Sequence, residues 1–416
     1  MNGRRAIVVG GGHIGAACAW RLLRDGWAVA LVDPGDARAA ASWGNAGHLA
    51  PEQTAPLASL ATLRALPRRL FAAGGPVGLH MRDMAAWLPF GLRLVAAARP
   101  ARYARGAQAL RSLVAQALPA WRRLADDIGA PALIRTDGHF VAWESPETHA
   151  RGRRAWQAAD IGTASIRDAT DDELRWLQSL FAGRPTGAMR FAGTGQVVEI
   201  PALRDALTAA FRASGGTMRQ ARAAAIEVAG GKAALRLGDG ALEACDLLVL
   251  AAGIGSAPLL RPIDAPVPLI AERGYHVETA AGLDSWPTDQ PPVAFEDRSI
   301  IVTRFASTLR LAGFTEFAAP DAPGDPRKWE RLDRHADALG LPGAGSRVRW
   351  SGARPTLPDF LPAIGKSRAA SNLLYAFGHQ HLGVTLAAIT GELIAHLARD
   401  AEPPVPLAPF DLRRFV

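Results

Sequence analysis

The residues with the clearest chemical assignment are glycines. Gly10, Gly12 and Gly15 stand in the run Ile7-Val8-Val9-Gly10-Gly11-Gly12-His13-Ile14-Gly15, and Asp33 follows eighteen positions after Gly15. An apolar strand, a G-x-G-x-x-G turn and a helix start, in that order, form a cradle for a dinucleotide pyrophosphate. Gly10 permits the sharp turn off the strand. Gly12 has no side chain to block the pyrophosphate, and Gly15 lets helix and strand pack closely. His13 and Ile14 open the helix, whose free N–H groups and positive dipole end face the phosphates. Asp33 ends the apolar run Val29-Ala30-Leu31-Val32, where a carboxylate accepts from both ribose hydroxyls and disfavours a 2′-phosphate. Strand, helix and acid agree on nucleotide binding and leave open which dinucleotide is bound.

The elements that must position these residues are bounded by composition. A chain of 416 residues exceeds what one hydrophobic core usually supports, so two domains are expected. At 49% apolar residues it can bury large cores. No apolar run reaches the length of a membrane span, and the chain enters its first strand without a signal-peptide pattern, which favours a cytoplasmic location. Cys18 and Cys245 are the only cysteines. They read as buried thiols, with no metal-ligand spacing around them, and no metal is expected. The formal charge of +8 does not indicate a nucleic-acid partner, because only Lys232, Lys328 and Lys366 are lysines. The many arginines form no compact block interleaved with exposed aromatics. Residues 64–105 alternate arginines with apolar patches such as Trp87-Leu88-Pro89-Phe90. Such helices either pack on the protein's own body with snorkelling arginines or lie peripherally on the inner face of an anionic membrane.

Residues 57–128 are helical in pattern, broken at Gly74-Gly75-Pro76 and at Pro100. Strand signals at 133–135 and 139–143 flank Asp137-Gly138, which predicts a hairpin. A helix is expected over 201–213, a buried parallel strand over 247–252, and antiparallel strands near 274–277, 299–302 and 308–311. The last helix spans about 382–398, after a glycine- and histidine-rich loop. Nucleotide-type elements thus occur at the start, middle and end of the chain. The expected architecture is α/β: a Rossmann-like domain of residues 1–56, 196–262 and 345–416, interleaved with an α+β substrate domain of residues 57–195 and 263–344 built on an antiparallel sheet.

Three further segments carry a family resemblance over essentially the whole chain. They are Ser42-Trp43-Gly44-Asn45-Ala46-Gly47-His48, Asp246 to Gly253 followed by Pro258, and Trp350-Ser351-Gly352-Ala353-Arg354-Pro355-Thr356-Leu357-Pro358-Asp359 with Gly378-His379-Gln380-His381-Leu382-Gly383-Val384-Thr385. With these, the chain resembles the flavin-dependent D-amino-acid dehydrogenase and oxidase superfamily that includes glycine and sarcosine oxidases. It is most similar to the small bacterial D-amino-acid or D-hydroxyproline dehydrogenases.

The resemblance implies non-covalent FAD. Ser42, Asn45, Ala46 and Gly47 would lie along the flavin, Ala252 and Gly253 would close over the adenosine half, and Ala223 would contact adenine through its backbone. It implies that Arg354 binds a substrate carboxylate, for which a guanidinium offers two parallel donors. The loop Gly378, His381, Leu382, Gly383, Val384, Thr385 would aim N–H groups and a helix dipole at the flavin edge that becomes negative on reduction. Hydride would pass from substrate Cα to flavin N5, with positioning doing most of the catalytic work. Tyr275 matches a position near the reacting face, and His48 and His379 are candidates for orienting substrate or accepting a proton. Asp33 stands where such enzymes more often have glutamate. An N-alkyl amino-acid oxidase of the sarcosine type, or a flavin subunit of a heteromeric dehydrogenase, shares all these cofactor residues. The resemblance leaves the electron acceptor open among oxygen, a quinone and a carrier.

Overall fold

The structure, a computed structural model, describes residues 4–264 and 267–416. The opening strand Arg5–Val9 pairs in parallel with Ala28–Asp33 on one side and Leu247–Leu250 on the other. Thr217–Gln220 extends one edge, and Leu373–Phe377 with the antiparallel Ala363–Lys366 extends the other, giving six strands. The strand order reverses direction around Arg5–Val9, so the carboxyl ends of Arg5–Val9 and Ala28–Asp33 open a crevice where α/β sheets bind ligands. Val9 leads into Gly10 at that point, and Gly10 takes a φ of +108° that a side chain would resist.

Helices His13–Arg24 and Gly383–Ala398 cover one face of this sheet. They approach so closely that a Cβ on Gly391 would lie 2.7 Å from the Ala17 carbonyl oxygen. Trp121, buried on the helix Ala117–Asp127, donates its indole N–H to the Val384 carbonyl at 2.9 Å. Those contacts explain one departure from expectation. The segment Gln380–Ala398 is long and apolar enough to cross a membrane by length and composition, and 67% of its most apolar 18 residues are buried inside the fold. Its apolar character serves a helix covered by protein on several sides.

A second sheet of nine strands carries Val348–Thr356, Ile270–Thr279, Leu309–Ala318, Ile300–Arg304, Val293–Phe295, His139–Trp143, Gly187–Ala192 and Ser165–Asp168 in that order, with Val77–Leu79 beside Leu309–Ala318. Most neighbours are antiparallel; Val293–Phe295 with His139–Trp143 and Val77–Leu79 with Leu309–Ala318 are parallel. Val348–Thr356 belongs here although it falls in the range that the sequence groups with the nucleotide-binding elements. It runs along Ile270–Thr279, which lies in the other expected domain.

Asp137-Gly138 does not close a hairpin. Ile134–Arg135 pairs with Gly195–Val197 in a small separate sheet, and His139–Trp143 pairs with Gly187–Ala192. Every residue of His139–Trp143 is buried. A strand buried on both faces needs neighbours along its whole length, and a two-residue partner cannot provide them. The helical stretch after residue 57 is likewise interrupted by the strand Val77–Leu79. Helices Pro146–Ala158, Asp171–Leu180 and Pro326–Ala338 were not expected, although Ser145, Thr170 and Asp325 cap them by accepting from backbone N–H groups, the N-terminal signal that marks them.

Candidate functional site

The crevice at the strand ends is lined by Gly11, His13, Asp33, Ser42 and Arg204. Asp33 Oδ2 accepts from the Gly11 N–H at 2.6 Å and Oδ1 from the Gly35 N–H at 2.8 Å, which fixes the carboxylate at the tip of its strand with lone pairs to spare. Gly12 precedes the first helix without a side-chain cap, so the first-turn N–H groups are free for a ligand. His13 is buried, its Nδ1 has no hydrogen-bond partner, and burial lowers its pKa to about 4, with the Arg204 charge adding to the effect. A Cβ on Gly15 would meet the Gly10 carbonyl oxygen at 1.8 Å, whereas one on Gly12 would meet only Ser42 Oγ at 3.5 Å. Gly15 is therefore required by packing, and Gly12 by what lies in front of it. Ala223 follows the strand Thr217–Gln220, whose Gln220 pairs with Asp33, so it reaches the same end of the sheet. Ala252 and Gly253 turn off Leu247–Leu250 nearby, with Gly253 at a φ of +58°.

The segment from Ser42 to His48 leaves this crevice and enters a cavity of about 710 Å3, whose wall includes Asn45, Ala46, His48, Arg354, His381 and Thr385. Its path is set from both sides. Asn45 Oδ1 accepts from the Gly47 N–H at 2.7 Å. Arg310 donates to the carbonyls of Trp43 and Asn45 at 3.1 and 2.6 Å. His276, stacked on Trp350 with ring centroids 5.0 Å apart, places Nδ1 3.2 Å from the Gly44 carbonyl. A Cβ on Gly44 would fall 2.0 Å from the Trp350 ring, so the loop lies flat against the second sheet. None of Arg310, His276 and Trp350 was singled out from the sequence as a positioning residue. Their role arises where two sheets meet.

Arg354 sits directly across from Glu272 in the pairing of Val348–Thr356 with Ile270–Thr279. Its Nη1 lies 3.5 Å from Glu272 Oε1, and Glu272 Oε2 accepts from the Thr356 hydroxyl at 2.7 Å. Glu272 is buried, which raises its pKa; the Arg354 charge works against that rise. The guanidinium rests over Gly274, where a Cβ would be 2.3 Å from Nη2.

The loop before the last helix faces the same cavity. His381 Nε2 lies 2.6 Å from Gln53 Oε1, and burial, then the Arg354 charge, lowers its pKa to about 3, so it is a neutral imidazole. Gly378 and Gln380 have φ values of +79° and +49°, and the Gln380 amide donates to the Phe360 carbonyl at 2.6 Å. Left-handed backbone at a non-glycine residue persists only where its surroundings hold it. A bridge between Thr356 and His379 joins this loop to the strand of Arg354. Leu382, Gly383, Val384 and Thr385 then start the last helix, which has no side-chain cap; Thr385 Oγ1 accepts from the Ala50 N–H at 3.1 Å.

Two expected site residues are placed elsewhere. Tyr275 is buried under the helix Pro326–Ala338, donating to Glu316 and accepting from the Asp325 N–H at 3.0 Å, and burial raises its pKa. Side chains alternate across a strand, so with Gly274 beneath the guanidinium, Tyr275 points to the opposite face. His379 is also buried; its Nε2 lies 3.0 Å from Thr390 Oγ1, and burial lowers its pKa to about 3. It braces the loop against the last helix and is not in the cavity wall. His48 is in that wall, together with Glu52 and His139, which the sequence reading did not select.

An uncapped helix N-terminus at a dinucleotide crevice, joined by a flat glycine-bearing loop to a cavity with an arginine and a second helix N-terminus, defines a flavin-binding oxidoreductase. Solved structures share the fold: glycine oxidase from Geobacillus kaustophilus at 22% identity and a TM-score of 0.73, over 99% of this chain and 100% of that one, and iminodiacetate oxidase from Chelativorans at 18% and 0.71, over 98% of each. The chain belongs to the FAD-dependent oxidoreductase family, whose model matches residues 5–397. It is 32% identical to a D-amino-acid oxidase of Bradyrhizobium diazoefficiens over the full length of both proteins. It is also 28% identical to D-amino acid dehydrogenase 2 of Pseudomonas aeruginosa over 94% of each. The residues present fit FAD: the uncapped first turn and the open space before Gly12 lie at the crevice where its phosphates belong, and His13, which lines it, keeps a buried Nδ1 without a partner.

Proposed function

We propose that this enzyme oxidises the CH–NH bond of a D-amino acid, with non-covalent FAD as the hydride acceptor, giving an imine or 2-oxo acid. The observation that carries this reading is Arg354 in the wall of a largely apolar cavity, with the buried Glu272 and the neutral His381 beside it. A guanidinium clamps a carboxylate in position and plane. Arg354 would hold the substrate carboxylate while the apolar wall takes the side chain, and this orients the Cα–H. Gly10, Gly12, Gly15 and Asp33 would hold the adenosine and pyrophosphate; the loop from Ser42 to Gly47 and the helix start at Gly383 would line the ring. When bound, FAD supplies a two-electron acceptor. Cys18 is buried in the first helix and Cys245 adjoins a strand of the sheet, and neither is in the cavity wall, in keeping with a cofactor that is not tethered.

The relatives named as D-amino-acid oxidase and dehydrogenase support the D configuration, with D-proline or D-hydroxyproline as cyclic candidates. An anaerobic screen tests the reading. Holoenzyme is mixed with D- and L-amino acids, D-proline, hydroxyprolines and sarcosine, and loss of visible flavin absorbance is followed. Bleaching by D-amino acids is expected; bleaching by sarcosine alone moves the enzyme to N-alkyl substrates. Bleaching by none, restored on adding co-expressed partner chains, makes it a subunit of a larger dehydrogenase.

A peripheral position on the inner face of the cytoplasmic membrane is part of this reading. Met84, Leu88, Leu92 and Val95 are exposed along one face of the helix Met84–Ala97, the last three at the rim of the cavity, and Arg64, Arg68, Arg93, Arg99 and Arg102 of the same stretch of chain are exposed too. Apolar side chains flanked by arginines suit an anionic bilayer surface. Co-sedimentation with anionic vesicles at low salt, and not with zwitterionic ones, is the expected result. Equal recovery in the supernatant with both vesicle types removes the membrane contact.

A further inference from the structure

One wall of the cavity brings together His48, Glu52 and His139. His48 Nε2 lies 2.9 Å from Glu52 Oε1, and the two imidazole rings meet edge to face with centroids 4.4 Å apart. One ligating atom from each residue lies within 4.8 Å of the other two. Ligands bound to one ion at ordinary first-row distances are up to about 4 Å apart, so small side-chain rotations bring all three onto a common centre.

On each imidazole Nδ1 is already engaged, which leaves Nε2 to bind an ion. His48 Nδ1 is 3.2 Å from the Gly195 carbonyl, and His139 Nδ1 is 2.8 Å from Thr194 Oγ1. Metal-binding histidines are oriented in this way, with the remote N–H donated to a carbonyl or other acceptor. A His48 N–H aimed at Gly195 leaves Nε2 presenting a lone pair to the Glu52 carboxylate. That contact is bridged by a proton in the metal-free protein and by the ion when one is bound. Glu52 Oε2 is also buried without any hydrogen-bond partner, on a residue only 5% exposed.

We propose that His48, Glu52 and His139 bind a first-row divalent transition cation, with Zn2+ as the reference ion. Two imidazoles and one carboxylate suit zinc and its neighbours better than calcium or magnesium, which take oxygen ligands. The open coordination positions face the cavity. There the ion occupies space that a substrate needs, and zinc inhibits the enzyme reversibly. The inhibition rests on the amino-acid reading above; the binding does not.

Flavin-loaded protein freed of metal by a chelator and titrated calorimetrically with zinc chloride is expected to take one Zn2+ per chain, with imidazole scattering in the zinc X-ray absorption spectrum. His139→Ala and Glu52→Gln are expected to weaken binding by about 100-fold or more, and Thr194→Val, which removes only the partner of His139, by about 10-fold. A retained flavin spectrum shows that each variant is folded, and Thr194→Val keeps the test decisive if the buried His139 variant does not fold. Zinc affinity unchanged in Glu52→Gln and Thr194→Val, or a spectrum without imidazole, overturns the site. Zinc bound through these residues to a protein that no amino acid bleaches leaves the site standing and overturns the substrate reading.

Discussion

Arg354→Ala is expected to lower kcat/KM for a carboxylate substrate by between about 30-fold and several thousand-fold, the equivalent of roughly 2–5 kcal/mol for truncating one member of a buried charged pair. Most of the loss should appear in KM, because the carboxylate is bound in both ground and transition states. Arg354→Lys keeps the charge without the two-pronged donor and should fall between alanine and the native enzyme. Gly274→Ala gives an independent test of the same geometry. Its Cβ would stand 2.3 Å from Arg354 Nη2, and the guanidinium, being the flexible partner, must move. Displacement of a clamping group by about 1 Å costs on the order of 100-fold in rate, with the fold and flavin content retained. Steady-state kinetics on both variants against native enzyme decides the matter. An unchanged KM in Arg354→Ala means that another residue holds the carboxylate.

The second large effect separates two glycines of one turn. Gly15→Ala puts a Cβ 1.8 Å from the Gly10 carbonyl oxygen. Backbone held between two strands cannot yield, so the variant should lose roughly 3 kcal/mol of stability or fail to accumulate as folded protein. Gly12→Ala meets nothing closer than Ser42 Oγ at 3.5 Å, and Gly12 has an ordinary extended backbone with φ −68°. Its apoprotein should unfold within about 0.5 kcal/mol of the native chain, while flavin binding is lost because the methyl occupies the pyrophosphate's place. Thermal unfolding of apoprotein and flavin content per chain measure the two effects separately. A Gly12→Ala protein that keeps a full complement of FAD would show that the pyrophosphate does not lie there.

Much of the site was legible because it depends on local backbone geometry. Gly10, Gly12, Gly15 and Asp33 are recognisable at fixed spacing because a sharp turn, a close helix and a ribose acceptor each demand one residue type. Ala46, Gly47 and the run from Gly378 to Thr385 were legible only through their resemblance to the motifs of a known family. The buried parallel strand at Leu247–Leu250 follows from an unbroken apolar run.

Tertiary structure decided what depends on partners distant in sequence. Arg354 is opposed to Glu272 and seated on Gly274 because two strands 82 residues apart pair in one register, and no spacing rule announces that register. The same alternation removes Tyr275 from the cavity, since a shift of one residue along a strand exchanges its faces. Asp137-Gly138 has hairpin chemistry, yet the neighbours of His139–Trp143 come from two other parts of the chain, because burial on both faces outweighs a local turn preference. His48, Glu52 and His139 meet only through folding. Sequence by itself determined the dinucleotide class of the cofactor and the turn that suits it, through constraints acting within a few residues; the three-dimensional packing of two sheets determined which side chains face the cavity, through contacts that sequence separation conceals.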